Sequence, residues 1–391
     1  MNIVITTETY LPFIAGVSTS TDNIARFMAR RGHQVTIVAP RPTGKDDVPR
    51  EPNLQILRVP AFIDPFFHEK TFSPIPLPIP ELLRILKKDH VDLVHIQEPG
   101  AIGWCALMIA KVRGIPVFAA LHTDPEQIMR IIAVRYFKHI IVWFLLTYER
   151  LFYNATSMIM VPTSTFRKSL HSIGITRPIV PVSNGVDTTI YRPLDKKQLN
   201  AYQKSRGSHE VRFLYLGRVD TDKHIDVIIR ALGKTKPSIR LIIVGKGNTE
   251  ESLHALARER GVSEKISWLG LLTGPSVIKM YQTSDCFVIM SPYETQSIVT
   301  LEAIACGLPV LACNKGALPE LCHDGVNGYT VPAGDFKTLA KKMDLLASDR
   351  TLRTKMGKES RKISLPHDRA KALATLEAFY KTTLALKSIP E

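Results

Sequence analysis

Two doubly wound α/β domains in one chain are predicted by three observations. The chain has 391 residues, enough for two cores of ordinary size. Short apolar runs alternate with helix-length amphipathic segments, and this alternation restarts in the second half. Between the halves, Asp195 to Ser208 is polar and reads as an interdomain linker. With 45% apolar and 22% charged residues, the composition is that of a globular protein.

Met1 leads straight into a strand over residues 2–8, and a second strand covers 33–40. No basic region precedes an apolar one, so no signal peptide is expected. The helix Val17 to Arg31 lies between the two strands. Gly16, just before it, lets backbone approach a ligand and exposes helix N–H groups, although a tight turn explains it equally well. Pro74, Pro76, Pro78 and Pro80 alternate through an apolar stretch, which predicts an extended spacer ending at a helix from Glu81. Val91 to Pro99 is the next parallel strand. The helix Ala101 to Arg113 and the strand Pro116 to Leu121 follow. Glu98 and His122 both stand at carboxyl ends of strands, the binding edge of such a sheet. A lone histidine there is more often a satisfied structural residue.

Gln127 to Asn154 reads as one long helix. At about 100° per residue, Gln127, Arg130, Arg135, Lys138, His139, Glu149 and Arg150 share roughly a 200° arc. Phe137, Ile140, Phe144 and Leu151 lie opposite. Six of the seven charged residues from Ile128 to Ser172 are basic, a pattern found on membrane-surface helices as well as on ordinary solvated faces. Strands at Ser157 to Pro162 and Pro178 to Val182 follow, and Asn184 to Asp187 closes the first half.

The second half begins with the strand Val211 to Gly217. Arg218 and Lys223 stand at its junction with a helix over 224–234, where two cations can reach one diphosphate. The strand Arg240 to Val244 runs into Gly245-Lys-Gly247, a partial glycine fingerprint with no third glycine. A helix from Thr249, the strand Ile266 to Leu269 and the helix Pro275 to Thr283 precede the most informative stretch. There an apolar strand, Cys286 to Met290, ends at Ser291-Pro292, and a helix begins at about Ile298. Glu294 and Glu302, eight residues apart, share a face if that helix starts early. Carboxylates at this edge accept hydrogen bonds from vicinal hydroxyls. The N–H groups of Gln296, Ser297 and Ile298 stand at the helix start, ready for an anion or a sugar oxygen. Two further helices reach about Ile363, and a last one runs from Pro366 to Leu386.

These residues resemble the donor motif of the retaining nucleotide-sugar glycosyltransferases of family 4. The match is Glu294, Glu302-Ala303, Gly307, Pro309-Val310, Glu320 and Asn327-Gly328, with Gly-Arg218-x4-Lys223 upstream. Many members carry Gly-Phe-Gly after the first glutamate. Thr295-Gln296-Ser297 here is similar to the variant in members that glycosylate lipids. The resemblance covers nearly the whole chain. It implies the GT-B fold, with two Rossmann-like domains facing a central cleft: an acceptor domain at 1–190, a nucleotide-sugar domain at 191–365, and a helix over 366–391 that crosses back to the first. The implied reaction moves a hexose from a UDP- or GDP-sugar to a diacylglycerol-type lipid, or by the same chemistry to a soluble glycan.

By the same resemblance, His122 lies near the transferred sugar, Arg218 and Lys223 neutralise the donor diphosphate, and Glu294 holds the sugar hydroxyls. Glu302 holds the ribose, Leu271 adjoins the base, and Gly16, Gly245, Gln296, Ser297 and Ile298 line the donor. Glu98 would serve the acceptor, while Arg130, Arg135 and Lys138 would meet an anionic membrane surface. No tightly bound cofactor and no metal are called for.

The net charge of +15 implies an anionic partner. Residues 1–190 carry 20 of the 51 Lys and Arg, so the basic residues are spread along the chain. A nucleic-acid platform would interleave basic and aromatic residues on one face, and no such module motif occurs. The intact Arg218, Lys223, Glu294 and Glu302 argue against a non-catalytic membrane scaffold. Five cysteines without a C-x-x-C pair point to buried thiols in a reducing compartment. The apolar run Ile140 to Leu146 is too short to span a bilayer. The expected location is therefore cytoplasmic, on the inner face of the cell membrane.

Overall fold

Strands buried on both faces make the two sheets, as a parallel sheet covered by helices requires. Leu93–Ile96, Val117–Ala120, Cys286–Ile289 and Val310–Cys313 are buried at every position. The structure, a computed structural model, describes residues 1–13, 15–42, 44–63, 72–74, 78–87, 90–122, 138–205, 210–236 and 238–387. The chain divides into two compact units, Met1–Ser183 with Ala372–Glu391, and Asn184–Lys371.

The first unit holds β1 (Asn2–Thr6), β2 (Gln34–Pro40), β3 (Leu54–Val59), β4 (Ala61–Ile63), β5 (Phe72–Pro74), β6 (Leu93–Ile96), β7 (Val117–Ala120), β8 (Met158–Val161) and β9 (Ile179–Pro181). Seven of these form one sheet in the order β3-β2-β1-β6-β7-β8-β9. The chain winds outward from β1 to β3 and then returns to β6 on the other side of β1. The carboxyl ends of β1 and β6 therefore flank a topological switch point, where open α/β sheets bind ligands. β4 and β5 form a small antiparallel pair that the sequence reading did not foresee.

The second unit contributes β10 (Val211–Leu216), β11 (Ile239–Val244), β12 (Ile266–Trp268), β13 (Cys286–Ile289), β14 (Val310–Cys313) and β15 (Gly328–Val331). Their order is β12-β11-β10-β13-β14-β15, all parallel. Here the switch point lies between β10 and β13.

Several elements differ from the sequence reading. The polar stretch expected to be a linker holds the helix Lys196–Ser205. Tyr202 anchors it: its hydroxyl donates to the Thr283 carbonyl at 2.7 Å and accepts from Arg212 at 2.6 Å. A mostly polar helix thus forms because one side chain is tied down. Asn184–Asp187 belongs to the second unit, where Val186 bridges Asp368. The helix expected from Glu81 starts at Ile79, with Pro80 in its first turn, where a missing N–H is harmless. Pro76 lies outside the described residues. Of the long helix expected over 127–154, the described part is Lys138–Ala155. Arg130, Arg135 and Phe137 lie outside the described residues. No helix among the described residues is long and apolar enough to cross a membrane.

Two glycines show opposite constraints. Gly245 has φ +140°, and a Cβ there would come within 1.8 Å of the Gly217 carbonyl oxygen. Gly16 opens the helix Gly16–Arg30. A Cβ there would meet nothing within 4 Å among the described residues. Gly245→Ala should therefore destabilise the second unit by roughly 3 kcal/mol or more, from strain plus overlap. Gly16→Ala should leave stability within about 0.5 kcal/mol of wild type. Thermal melts of the two variants check this; similar losses would show that Gly245 is not held by its neighbour.

Candidate active site

Unit two places its charged residues at the switch point. Arg218 follows β10, and Lys223 ends a single turn of 3-10 helix, Thr221–Lys223. Glu294 lies in the loop after β13. Lys223 Nζ donates to Glu294 Oε1 at 2.8 Å, joining the two loops. Both side chains are largely buried, at 16% and 14% exposure. Burial alone would lower the Lys223 pKa, but Glu294 and Asp222 outweigh it and hold the ammonium above its usual value. Arg218 is brought not to Glu294 but to Asp220 at 2.5 Å and Asp222 at 3.4 Å. Asp222 also reaches Lys223 at 3.4 Å, so one carboxylate links the two cations. The sequence reading missed Asp220 and Asp222, although both lie inside the Arg218–Lys223 motif.

Glu294 and Glu302 do not share a helix face. The helix is Ile298–Ala305, so Glu294 stays in the loop while Glu302 lies a turn inside. Glu302 Oε2 accepts from the buried Tyr281 hydroxyl at 2.8 Å. Burial raises the Glu302 pKa, while hydrogen bonds from Tyr281 and Tyr191 oppose the rise. Gly316 fits beneath the Glu294 loop: a Cβ there would lie 2.8 Å from the Glu294 carbonyl oxygen. The Ala317 N–H donates to that oxygen at 2.9 Å.

Ser297 caps the short helix with φ +65° and ψ +85°, a region that costs a non-glycine residue energy. His224, which caps the helix Ile225–Leu232, has φ +50°. These are two of the three non-glycine residues with positive φ among those described, and they flank the switch point. Gln296 is buried and its side-chain oxygen accepts from the Asn184 N–H at 2.7 Å, so that side chain ties the loop to the segment that opens the second unit. The N–H of Gly245 is likewise engaged, by the Gly270 carbonyl at 2.8 Å. Leu271 beside it is 71% exposed after β12.

In unit one, the switch point gathers Glu8, Glu98 and, one strand further on, His122. Glu98 was expected to meet an acceptor, but the fold uses both its oxygens. Oε2 accepts from the Thr7 hydroxyl, Glu8 N and Thr9 N at 2.8–2.9 Å, and Oε1 from the Thr9 hydroxyl at 3.1 Å. It clamps the loop after β1. That clamp sets Glu8 against the start of the helix Ala101–Val112, where Oε1 accepts from Ile102 N at 2.8 Å and Gly103 N at 3.2 Å. Burial, partly offset by these bonds and assisted by the Glu98 charge, pushes the Glu8 pKa up to about 8. Sequence reasoning missed Glu8, although the rule that singled out Glu98, a carboxylate just past a strand's carboxyl end, applied to it too. His122 Nε2 lies 2.9 Å from Gln97 Oε1, and burial lowers its pKa to about 4, leaving a neutral imidazole near pH 7.

Two family profiles match the chain in tandem. Residues 14–190 match Glycosyltransferase Family 4, and residues 197–363 match Glycosyl transferases group 1. The chain belongs to glycosyltransferase family 4. It is 27% identical over 344 residues to the GDP-mannose-dependent alpha-mannosyltransferase of Mycobacterium tuberculosis, covering 86% of this chain and 85% of that one. It is 26% identical over 338 residues to the alpha-monoglucosyldiacylglycerol synthase of Acholeplasma laidlawii, covering 84% of each. Among solved structures, Anabaena HepE in complex with UDP superposes with a TM-score of 0.77 at 16% identity, covering 98% of this chain and all of that one. The family 4 chain is thus an α/β glycosyltransferase built from the two Rossmann-like halves of the GT-B fold.

Glu8 allows a test that needs no substrate. Its folded-state pKa is raised, so its favourable contribution is complete below about pH 4.5 and is lost as pH rises through about 8. Glu8→Gln keeps the oxygen that accepts from Ile102 and Gly103. Its melting temperature should match wild type near pH 4.5 and exceed it by several degrees at pH 8.5. A difference that does not change with pH would mean that Glu8 ionises normally.

Proposed function

We propose that this glycosyltransferase moves a hexose, with retention at the anomeric carbon, from a uridine or guanosine diphosphate sugar to a diacylglycerol-type membrane lipid. The observation that carries the donor half is the Lys223–Glu294 contact across the β10/β13 switch point. A diphosphate leaving group gathers negative charge, and preorganised cations stabilise it. In this reading Lys223 and Arg218 take the diphosphate, which displaces Asp220 and Asp222 from Arg218. The helix-start N–H groups of Ser297 and Ile298 add donors. Glu294 accepts from the sugar hydroxyls, and Glu302 offers its remaining lone pairs to the ribose. Leu271 covers the base, and His122 meets the transferred sugar. UDP in the HepE complex and GDP-mannose in the name of the mycobacterial relative leave both bases in play.

The lipid acceptor is supported by the diacylglycerol synthase relative and by the helix Lys138–Ala155. Glu149, Phe152 and Tyr153 of this helix are buried. Glu149 therefore leaves the solvated arc expected of it, because it shares the packed face with the two aromatics. Ile140, Trp143, Phe144 and Leu151 instead face outward at 60–66% exposure. An outward stripe of large apolar residues, with the basic Arg130, Arg135 and Lys138 preceding it in sequence, suits an anionic bilayer surface. The same donor chemistry on a soluble glycan would leave that stripe without a use.

Lys223→Ala should lower kcat/KM by about 10²-fold, the loss expected when roughly 3 kcal/mol of transition-state stabilisation is removed. Calorimetry with UDP and GDP separates the carboxylates. Glu302→Ala should weaken binding of the free nucleotide, whereas Glu294→Ala should spare it and impair transfer. Equal losses would overturn that division of roles.

Vesicle sedimentation tests the acceptor. Each basic residue near an anionic surface contributes about 1 kcal/mol. The Debye length falls from about 10 Å at 0.1 M salt to about 3 Å at 1 M. Binding to anionic vesicles should therefore weaken in high salt. It should also be lost in Arg130→Ser/Arg135→Ser/Lys138→Ser and in Trp143→Ser/Phe144→Ser, with nucleotide binding intact. Undiminished sedimentation of both variants would move the soluble-glycan acceptor to first place.

A further inference from the structure

Four side chains form a continuous hydrogen-bonded line in the first unit, from the helix Arg369–Lys387 to the end of β7. Tyr380 Oη lies 2.5 Å from His95 Nδ1. His95 Nε2 lies 3.2 Å from Gln97 Nε2, and Gln97 Oε1 lies 2.9 Å from His122 Nε2. Tyr380, His95 and Gln97 are all buried, at 0%, 0% and 1% exposure, so a polar atom left unpaired among them is costly.

Such a line has two self-consistent directions. In the first, His122 donates from Nε2 to the amide oxygen, the amide nitrogen donates to His95 Nε2, and His95 donates from Nδ1 to the tyrosine oxygen. In the second, every bond is reversed. The two differ by a half-turn of the Gln97 amide, whose oxygen and nitrogen ends have nearly the same size and shape. The separation of 3.2 Å between the amide nitrogen and His95 Nε2 belongs to the first direction.

The fully buried end of the line, at Tyr380, selects one of them. Tyr380 has one hydroxyl proton, and its hydrogen-bond partner among the described residues is His95 Nδ1. In the first direction that proton is buried without an acceptor. In the second it is used, at the short distance expected of a phenol donating to an imidazole. With Nδ1 of His95 accepting, its Nε2 must carry the proton, and the amide oxygen turns to meet it. The amide nitrogen then faces His122.

We infer that Tyr380 sets the direction of this line and so fixes His122 as the tautomer protonated on Nδ1. Burial keeps both imidazoles neutral near pH 7, with pKa values lowered to about 3 for His95 and about 4 for His122, so tautomer rather than charge distinguishes them. His122 Nε2 is then an acceptor for Gln97, and Nδ1 is a hydrogen-bond donor. A donor suits a hydroxyl or phosphate oxygen and cannot remove a proton from one. This rests on the reading of His122 as a residue of the sugar site. Tyr380, His95 and Gln97 are positioning residues that act through it.

Nitrogen NMR of the full chain labelled at histidine reads the tautomers directly. The two rings are assigned by signal loss in His95→Asn and His122→Asn. The expected result is His95 protonated on Nε2 and His122 on Nδ1. Tyr380→Phe removes the end donor and should shift His122 toward Nε2 protonation. Gln97→Glu, whose carboxylate only accepts, should do so fully, and it keeps the test alive if Tyr380→Phe does not fold. Transfer from UDP-glucose to diacylglycerol vesicles by Tyr380→Phe should show kcat reduced 3- to 10-fold with KM for UDP-glucose within twofold. Nε2 protonation of His122 in wild type, or an unchanged tautomer in a folded variant, would overturn the inference. If the tautomers behave as expected while His122→Asn keeps full activity, the line stands and His122 leaves the sugar site.

Discussion

An ammonium and a carboxylate, both largely withdrawn from water, meet across the point where the second sheet reverses its strand order. Neither Lys223 nor Glu294 is sheltered cheaply without the other, because an uncompensated buried charge is strongly destabilising. Their contact therefore ties together the loops leaving β10 and β13. The surroundings follow from it. Gly316 lets a third loop lie directly under Glu294, and Gly245 lets the β11 loop close on the β10 loop. The two helices that start beside the contact do so through left-handed residues, His224 and Ser297. Strain of this kind persists only where the surroundings over-determine it.

The first unit meets its switch point in a different electrostatic state. Glu8 is pushed toward the neutral acid, and His95 and His122 are kept neutral by burial. Glu98 spends its oxygens on the loop after β1. One switch point is thus lined by paired charges and the other by neutral hydrogen-bonding groups. The first suits an anionic group and the second suits uncharged hydroxyl groups.

The alternation of strand and helix was legible because central parallel strands are apolar at every position, as in Cys286–Ile289. Arg218, Lys223 and Glu294 stood out as candidates through their places at the ends of such strands together with the family resemblance, and the fold brings Lys223 and Glu294 into contact. What escaped the sequence depends on contacts between distant residues. The helix Lys196–Ser205 has a polar composition and exists through Tyr202, whose partners are Arg212 and Thr283. Glu98 and Glu8 occupy equivalent positions after neighbouring strands, and only the hydrogen bonds show which is consumed by the fold. Glu149 lies among basic residues in sequence but packs inward with Phe152 and Tyr153.

The first unit is discontinuous in the chain, since it is completed by Ala372–Glu391. Leu373, Leu376 and Tyr380 enter the same core as Ile3, Ile37 and Phe118, with the Tyr380 ring packed edge-on against Phe118 at 4.9 Å. During synthesis this core stays open until Ala372–Glu391 has left the ribosome, whereas every residue of the second unit precedes that segment in the chain. The domain made first is therefore finished last. A chain cut before Ala372 would lose the integrity of the first unit while the second remained whole.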